Sequence, residues 1–195
     1  MKNLFLSVAL LSLIGFNSCK DKDPKITTTR ELSEETLSYF VNYKIGTKWI
    51  YQDITNTSIY DTIELISINP RDVNSGNGTM YKGFELYYKP VISKDFTLKV
   101  TPGENNTDYV KIDPLVAAAG AVTFENKNGI WDLGVIYYDS INIKGTMFNN
   151  VINSSSHSDF HAFVYYGINQ GLIAFSNMNG SRNLNTFKLI KTIKP

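Results

Sequence analysis

Residues 121–138 read AVTFENKNGIWDLGVIYY and carry the clearest strand-turn-strand pattern of the chain. The Asn128-Gly129 pair in their middle readily takes the positive φ angles that a two-residue type I′ turn requires. The runs on both sides are rich in Val, Ile, Tyr and Phe, which is typical of strands. The stretch therefore predicts antiparallel strands joined by a tight turn.

Similar runs fill the chain from residue 42 onward, separated by Gly, Asn, Asp and Pro. The connections are short, so neighbouring strands should be antiparallel. Roughly ten strands exceed what a flat sheet holds comfortably, and we predict an all-β meander curled into a barrel, half-barrel or sandwich. The predicted strands are 48–54, 58–68, 80–88, 96–101, 108–112, 121–125, 134–138, 141–147, 159–166, 171–176 and 185–193.

One segment before these strands favours a helix. Within residues 29–41, Ser33 precedes Glu34 and Glu35, an arrangement typical of a helix start, and apolar residues recur at mixed helical spacings. We predict one short N-terminal helix.

The first residues resemble a secretion signal. Lys2 is followed by an apolar run over 4–16 and a small, polar exit that ends at Cys19. The apolar run is shorter than the roughly 20 residues that a spanning helix needs. Because Cys19 is the chain's one cysteine, it cannot form an internal disulfide. We predict a signal peptide over 1–18 and an acylated Cys19 that holds the mature protein to a membrane.

The mature chain divides into a tether and a domain. Residues 19–29 are polar and lack apolar periodicity, which predicts a flexible tether, and 30–195 has the length of a single β-rich domain. Loss of 1–18 removes Lys2 and no acidic residue, so 18 basic residues would balance 18 acidic ones. This neutrality predicts no nucleic-acid partner.

Two blocks of the chain resemble a known group of proteins. The first is GTKWIY at 46–51, with Tyr39-Phe40 before it and DTI at 61–63 after it; the second is GINQGLIAF at 167–175, followed by FKL at 187–189. Both are similar to blocks of Bacteroidetes outer-membrane or surface lipoproteins of largely unassigned function. The chain departs from the family pattern at Val41, where proline is common, and in the longer spacing at Asn169-Gln170.

The resemblance implies an all-β lipoprotein domain and a cellular location. It implies no activity. Lys20 lacks the aspartate that resembles an inner-membrane retention signal, so the outer membrane is expected. Asp21 and Asp23 partly resemble surface-export signals, which favours the cell surface over the periplasmic face.

The aromatic residues offer candidate binding groups. Exposed aromatic rings beside polar groups build sites for sugars or apolar ligands, although strand aromatics more often pack in a core. Trp131, close to the Asn128-Gly129 turn, is the leading candidate, and the adjacent Asp132 and Tyr137 are the other two.

Both histidines lie in one short motif, His157-Ser158-Asp159-Phe160-His161. His157, Asp159 and His161 are the types of residue that bind zinc, but an extended strand would hold the histidines about 13 Å apart. A polar strand entrance is the favoured interpretation, and we expect neither a metal nor a cofactor.

Two tripeptides, DTI at 61–63 and DSI at 139–141, resemble O-glycosylation sites of Bacteroidetes proteins. Thr62 and Ser140 would be the modified residues. Each would have to face solvent on its strand.

Enzyme motifs such as G-x-S-x-G and H-E-x-x-H are missing from the sequence. We therefore expect a non-enzymatic binding or interaction domain with an unknown protein, glycan or small-ligand partner. Two alternatives stay open: a lipocalin-like carrier with an apolar cavity, and a glycan-active enzyme with two carboxylates in one cleft.

Overall fold

The computed structural model describes residues 25–113, 122–131, 134–155, 163–178 and 184–195. In this part of the chain it has one helix, α1 (Glu34–Phe40), and thirteen strands. The strands are β1 (Thr28–Arg30), β2 (Lys48–Asp53), β3 (Tyr60–Asn74), β4 (Thr79–Pro90), β5 (Phe96–Pro102), β6 (Thr107–Asp113), β7 (Val122–Lys127), β8 (Ile130–Trp131), β9 (Val135–Ile143), β10 (Thr146–Ser155), β11 (Phe163–Gly167), β12 (Gly171–Met178) and β13 (Leu184–Ile193).

All strands belong to one sheet, in the order β8-β7-β6-β5-β4-β3-β2-β13-β12-β11-β10-β9. Every pair along this path is antiparallel, and β1 adds to β4 in parallel. From β2 to β8 and from β9 to β13, each strand therefore lies beside its neighbours in sequence, and β13 closes back onto β2. The predicted all-β antiparallel meander is confirmed, and it forms a nearly closed barrel.

The barrel is interrupted between β8 and β9, the two strands at the ends of the sheet order. Beside this interruption, the strands next to β8 and β9 contact each other. The Ser154 hydroxyl on β10 donates to the Thr123 carbonyl on β7 at 2.8 Å. We call the region between β8 and β9, where the sheet is interrupted, the seam.

Large side chains fill the barrel interior. The rings of Tyr88 and Phe96 stack with centroids 4.7 Å apart, and those of Phe175 and Phe187 stack at 5.3 Å. A void of about 10 Å³ lies in this core, room for one water at most. Buried and half-buried residues alternate along β2 and β5. Every second side chain of these strands therefore points into the barrel and fills its interior.

The sequence blocks at 46–51 and 167–175 contact each other inside the barrel. The Trp49 indole N–H donates to the Gln170 carbonyl at 2.8 Å, and the Tyr51 hydroxyl donates to the Leu172 carbonyl at 2.7 Å. Gly171 has a φ of +79°, and a Cβ there would lie 3.1 Å from the Trp49 nitrogen. The position therefore needs glycine for its backbone angle and for the approach of the indole.

The predicted helix is confirmed. Ser33 is its N-cap, and its hydroxyl accepts the Thr36 amide at 3.2 Å. Glu34 and Glu35 occupy the first turn, where the helix dipole favours negative charge. Tyr39 and Phe40 are buried, so the helix packs against the barrel through its last turn.

The predicted turn is also confirmed, since Asn128 and Gly129 have φ of +54° and +80°. Its second strand differs from the prediction: β7 returns into the two-residue strand β8. The predicted break between 134–138 and 141–147 is wrong, because β9 runs continuously over Val135–Ile143 and the turn follows at Lys144-Gly145. The Asp139-Ser140 pair resembles a turn, but on this edge strand both residues face solvent.

Other boundaries differ as well, among them those of the tether, of β3 and of β10, which runs to Ser155 although the predicted strand ended at 147. Thr28 and Thr29, the end of the predicted tether, pair with β4 as part of β1. Strand β3 was predicted to end at residue 68 but extends to Asn74. Pro70 is tolerated because β2 pairs with β3 only up to Glu64, so the missing N–H costs no bond to β2.

Candidate binding site

A cleft of about 560 Å³ opens at the seam, and we call it the seam cleft. It is lined by residues of α1, β8, β9 and β10 and of the turns before β8 and after β11. Its described lining consists of Glu35, Tyr39, Gly129, Ile130, Trp131, Val135, Tyr137, Asn150 and Ile168. This volume lies in the range of small-molecule sites.

Trp131 forms the wall of the seam cleft on the β8 side. The β7–β8 turn directs it toward the helix, where its ring meets Tyr39 edge to face at a centroid distance of 5.5 Å. Its indole N–H donates to Glu35 Oε1 at 3.1 Å. The indole is half-buried, so it is held on one side and open on the other.

Tyr137 on β9 also lines the seam cleft. Its side chain is 47% exposed, and its hydroxyl donates to Asn150 Oδ1 at 2.8 Å. Partial desolvation, then the nearby carboxylate of Asp139, and the charge of Glu35 raise the Tyr137 pKa. Two carboxylates therefore lie near this hydroxyl, which stays protonated at neutral pH.

Tyr39 lies at the base of the seam cleft. Burial is the main cause that raises its pKa, followed by the influence of Tyr137 and the charge of Glu35. The ring is almost wholly buried. Tyr39 is thus a fixed part of the base, whereas Tyr137 is accessible.

A buried polar network positions the helix against the seam. Asp108 on β6 is 2% exposed, and its Oδ2 accepts the Ser33 amide at 2.9 Å and the Ser33 hydroxyl at 2.6 Å. Asn126 lies opposite Asp108 on β7, and its Oδ1 accepts the Gly129 amide at 2.9 Å. The register pairing of Asp108 with Asn126 brings the helix start close to the turn before Trp131. No hydrogen bond joins these two side chains, because Asp108 Oδ1 and Asn126 Nδ2 are both buried without a partner in the described part of the chain.

The structure brings two of the three predicted binding residues, Trp131 and Tyr137, to one cleft, while Asp132 lies outside the described residues. Sequence reasoning missed Glu35, Tyr39, Asn150 and Ile168. Glu35 was recognised only as part of a helix start, and no local signal showed that the helix would pack at the end of a sheet.

The other predicted sites have separate outcomes. Cys19 and the histidine motif, His157, Asp159 and His161, lie outside the described residues. Among the described residues, no group of three or more His, Cys, Asp or Glu side chains could hold a metal. Thr62 is half-buried and Ser140 is exposed, so modification at either stays a prediction.

Asp61, which precedes Thr62, has a structural role. It is buried and accepts the amides of Val91, Ile92 and Ser93 at 3.0–3.1 Å. Its carboxylate therefore fixes the loop between β4 and β5 and is withdrawn from solvent.

No protein-family model matches the chain, and neither a curated protein nor a solved structure is detectably similar to it. Within the described ranges, none of the helical structure is long and apolar enough to cross a membrane.

Proposed function

We propose that the protein is a lipid-anchored, extracytoplasmic binding protein that holds a small ligand in the seam cleft without transforming it. The observation that carries this proposal is the seam cleft itself. An accessible tyrosine and a half-buried tryptophan face the same space, beside a carboxylate and an amide. Few polar groups among aromatic side chains are typical of a ligand site.

The contrast with the barrel interior supports a surface site over a carrier cavity. In the described core, aromatic rings leave a void of about 10 Å³, against about 560 Å³ in the seam cleft. A lipocalin-like carrier holds its ligand inside the barrel. The void among the described core rings is far too small for such a ligand.

The lining chemistry supports binding over hydrolysis. Glu35 is the one carboxylate among the described lining residues, and one of its oxygens accepts the Trp131 N–H. Asp139 lies near Tyr137 but is not among those lining residues. A glycoside hydrolase uses two carboxyl groups about 5 to 9.5 Å apart across the reacting bond. The arrangement of Glu35 suits holding a ligand in place.

The binding part of the proposal is tested with a small-fragment screen by NMR on the purified protein. We expect fragments to perturb signals of Trp131 and Tyr137. Tyr137→Ala should abolish these effects, and Tyr60→Ala should not, since Tyr60 is also 47% exposed but lies on β3. Hits that cluster elsewhere, or are insensitive to Tyr137→Ala, would refute the seam cleft as the site.

The proposed cellular location rests on the sequence and needs a separate test. We propose acylation at Cys19, the outer membrane as destination and display at the cell surface. Cells fed an alkyne-tagged fatty acid should label the wild-type chain and leave Cys19→Ala unlabelled. Protease added to intact cells should digest a surface-displayed chain, and protection would place it on the periplasmic face.

A further inference from the structure

We propose that the ligand of the seam cleft is a pyranose sugar ring that carries no acidic group, packed on the exposed aromatic faces and hydrogen-bonded to Glu35. This inference rests on the proposed binding function and adds the ligand class. It is argued from the shape of the two walls, the polar atoms between them and the local charge.

The two walls suit a ring with apolar faces. Trp131 and Tyr137 both line the seam cleft, come from the two ends of the sheet order, and are aromatic rings that are partly exposed. Ile130 adds an exposed aliphatic side chain at the rim. A pyranose presents C–H groups on its faces, which pack on aromatic rings, while its hydroxyls point outward from the ring edge.

The polar groups select against a wholly apolar ligand. Glu35 lines the cleft as a half-buried carboxylate, and its Oε1 accepts the Trp131 N–H. An apolar ligand would strip water from this carboxylate without replacing its hydrogen bonds, which is unfavourable. Sugar hydroxyls donate hydrogen bonds, so they replace that water. The Asn150 side chain, whose oxygen accepts the Tyr137 hydroxyl, adds amide donors at the same edge.

The charge of the cleft selects against acidic sugars. Glu35 lines it and Asp139 lies close to Tyr137, while the described lining contains no lysine or arginine. Neither carboxylate forms an ion pair in the described part of the chain, unlike Glu31, Glu64 and Glu85. A ligand carboxylate would therefore meet uncompensated negative charge, and like charges brought together at a binding surface are strongly unfavourable.

The test uses pairs of probes that differ in one group. Methyl glucoside, galactoside, mannoside and xyloside are titrated into the purified protein, with the corresponding methyl glucuronide and galacturonide and with cyclohexylmethanol as an apolar probe. Binding is followed by saturation-transfer NMR and by tryptophan emission. The chain has two tryptophans, and Trp49 is 2% exposed, so a ligand-induced change in emission reports on Trp131.

We expect at least one neutral pyranoside to bind and to change the Trp131 emission. Its uronic-acid partner should bind about tenfold more weakly or worse, a difference of about 1.4 kcal/mol. Equal or tighter binding of the uronic acid would overturn the inference. Binding of cyclohexylmethanol but of no pyranoside would also overturn it. If no pyranoside binds but the fragment screen finds ligands in the seam cleft, the sugar inference fails and the binding function stands. If the fragment screen itself finds no ligand there, the proposed binding function fails.

Two variants separate recognition from support of the fold. Glu35→Gln keeps an oxygen for the Trp131 N–H and removes the charge, so uronic-acid affinity should rise about fivefold. A purely structural role of Glu35 predicts no change in this selectivity. Tyr137→Ala should weaken pyranoside binding about tenfold through the lost ring contact, whereas Tyr60→Ala should leave it unchanged. Unchanged binding in Tyr137→Ala would overturn the inference.

Discussion

The two tryptophans show how the same side chain serves different ends in the closed and the open part of the barrel. Trp49 lies on β2, which is paired on both sides, and its N–H donates to a backbone carbonyl of the turn before β12. Trp131 lies on β8, at one end of the sheet order, and its N–H donates to the Glu35 carboxylate. Pairing on both sides buries the first ring, and the sheet end leaves part of the second accessible.

The difference teaches that position in the sheet, rather than residue type, separates core from site. Around Trp49, the rings of Tyr43 and Tyr88 pack against the indole and exclude solvent. Around Trp131, the strand has one neighbour, and a helix turn covers part of what the second would cover. Substitutions on the closed side should therefore change stability, and those at the seam should change binding.

The largest effect is expected for Trp49→Ala. Removal of a wholly buried aromatic ring costs about 3–5 kcal/mol of unfolding free energy, and the Gln170 carbonyl also loses its donor. Urea denaturation followed by circular dichroism measures the loss. Trp131→Ala is the matched control, and a loss equal to that of Trp49→Ala would contradict the distinction between the two sides.

A smaller effect is expected for Asp108→Ala, which removes the attachment of the helix to β6. The Ser33 amide and hydroxyl lose their acceptor, and the cost should be about 1–3 kcal/mol. Because the helix carries Glu35, sugar binding should fall as well. The exposed Asp72→Ala is the control for both measurements, and a matching result for the two variants would argue against the network.

The next prediction concerns pH and the closed side. Burial raises the pKa of Asp53, but bonds from the Thr55 hydroxyl and from the Asn56 and Thr55 amides outweigh this effect and lower it overall. The folded pKa therefore lies below the unfolded value of about 3.9. The stabilisation is present above that unfolded value and disappears as pH falls through the lower folded one.

Asp53→Asn should accordingly reduce stability at pH 6 by more than at pH 2.5. Denaturation midpoints at the two pH values measure this difference. The exposed Asp72→Asn serves as a reference for general charge effects. An equal loss at both pH values would contradict the predicted direction.

The smallest effect compares two tyrosine hydroxyls. Tyr137→Phe removes an exposed bond to Asn150, so the unfolding free energy should change by no more than about 0.5 kcal/mol. Tyr51→Phe leaves the buried Leu172 carbonyl without its donor and should cost about 1–2 kcal/mol. Thermal unfolding of both variants tests the pair, and a reversed order would place the seam among the stability-determining regions.

Much of the fold was predictable because its signals are local. The turn at Asn128-Gly129 follows from positive φ, and the helix start follows from Ser33. The length of β3 beyond Pro70 was not predictable, because it depends on where β2 stops pairing. Strand β1 was equally hidden, since its partner β4 lies some 50 residues further along the chain.

The candidate site was predictable in part for the same reason. Trp131 and Tyr137 flank a strong local turn signal, and aromatic residues near a turn are often accessible. Glu35 reaches them through long-range packing with a sequence separation of 96 residues. Nothing local to a helix start specifies such a contact, so only the assembled sheet shows which carboxylate belongs to the cleft.

The pairing of β13 with β2 also has a consequence for how the chain assembles. The other antiparallel pairs join strands adjacent in sequence, so they can form early as hairpins, whereas this pair joins Lys48 to Ile193. During synthesis, the barrel cannot close until its last strand has been made. Until then β2 and β12 each keep an unpaired edge, the type of surface on which chains associate wrongly. Premature termination near residue 183 would leave that exposed state permanent.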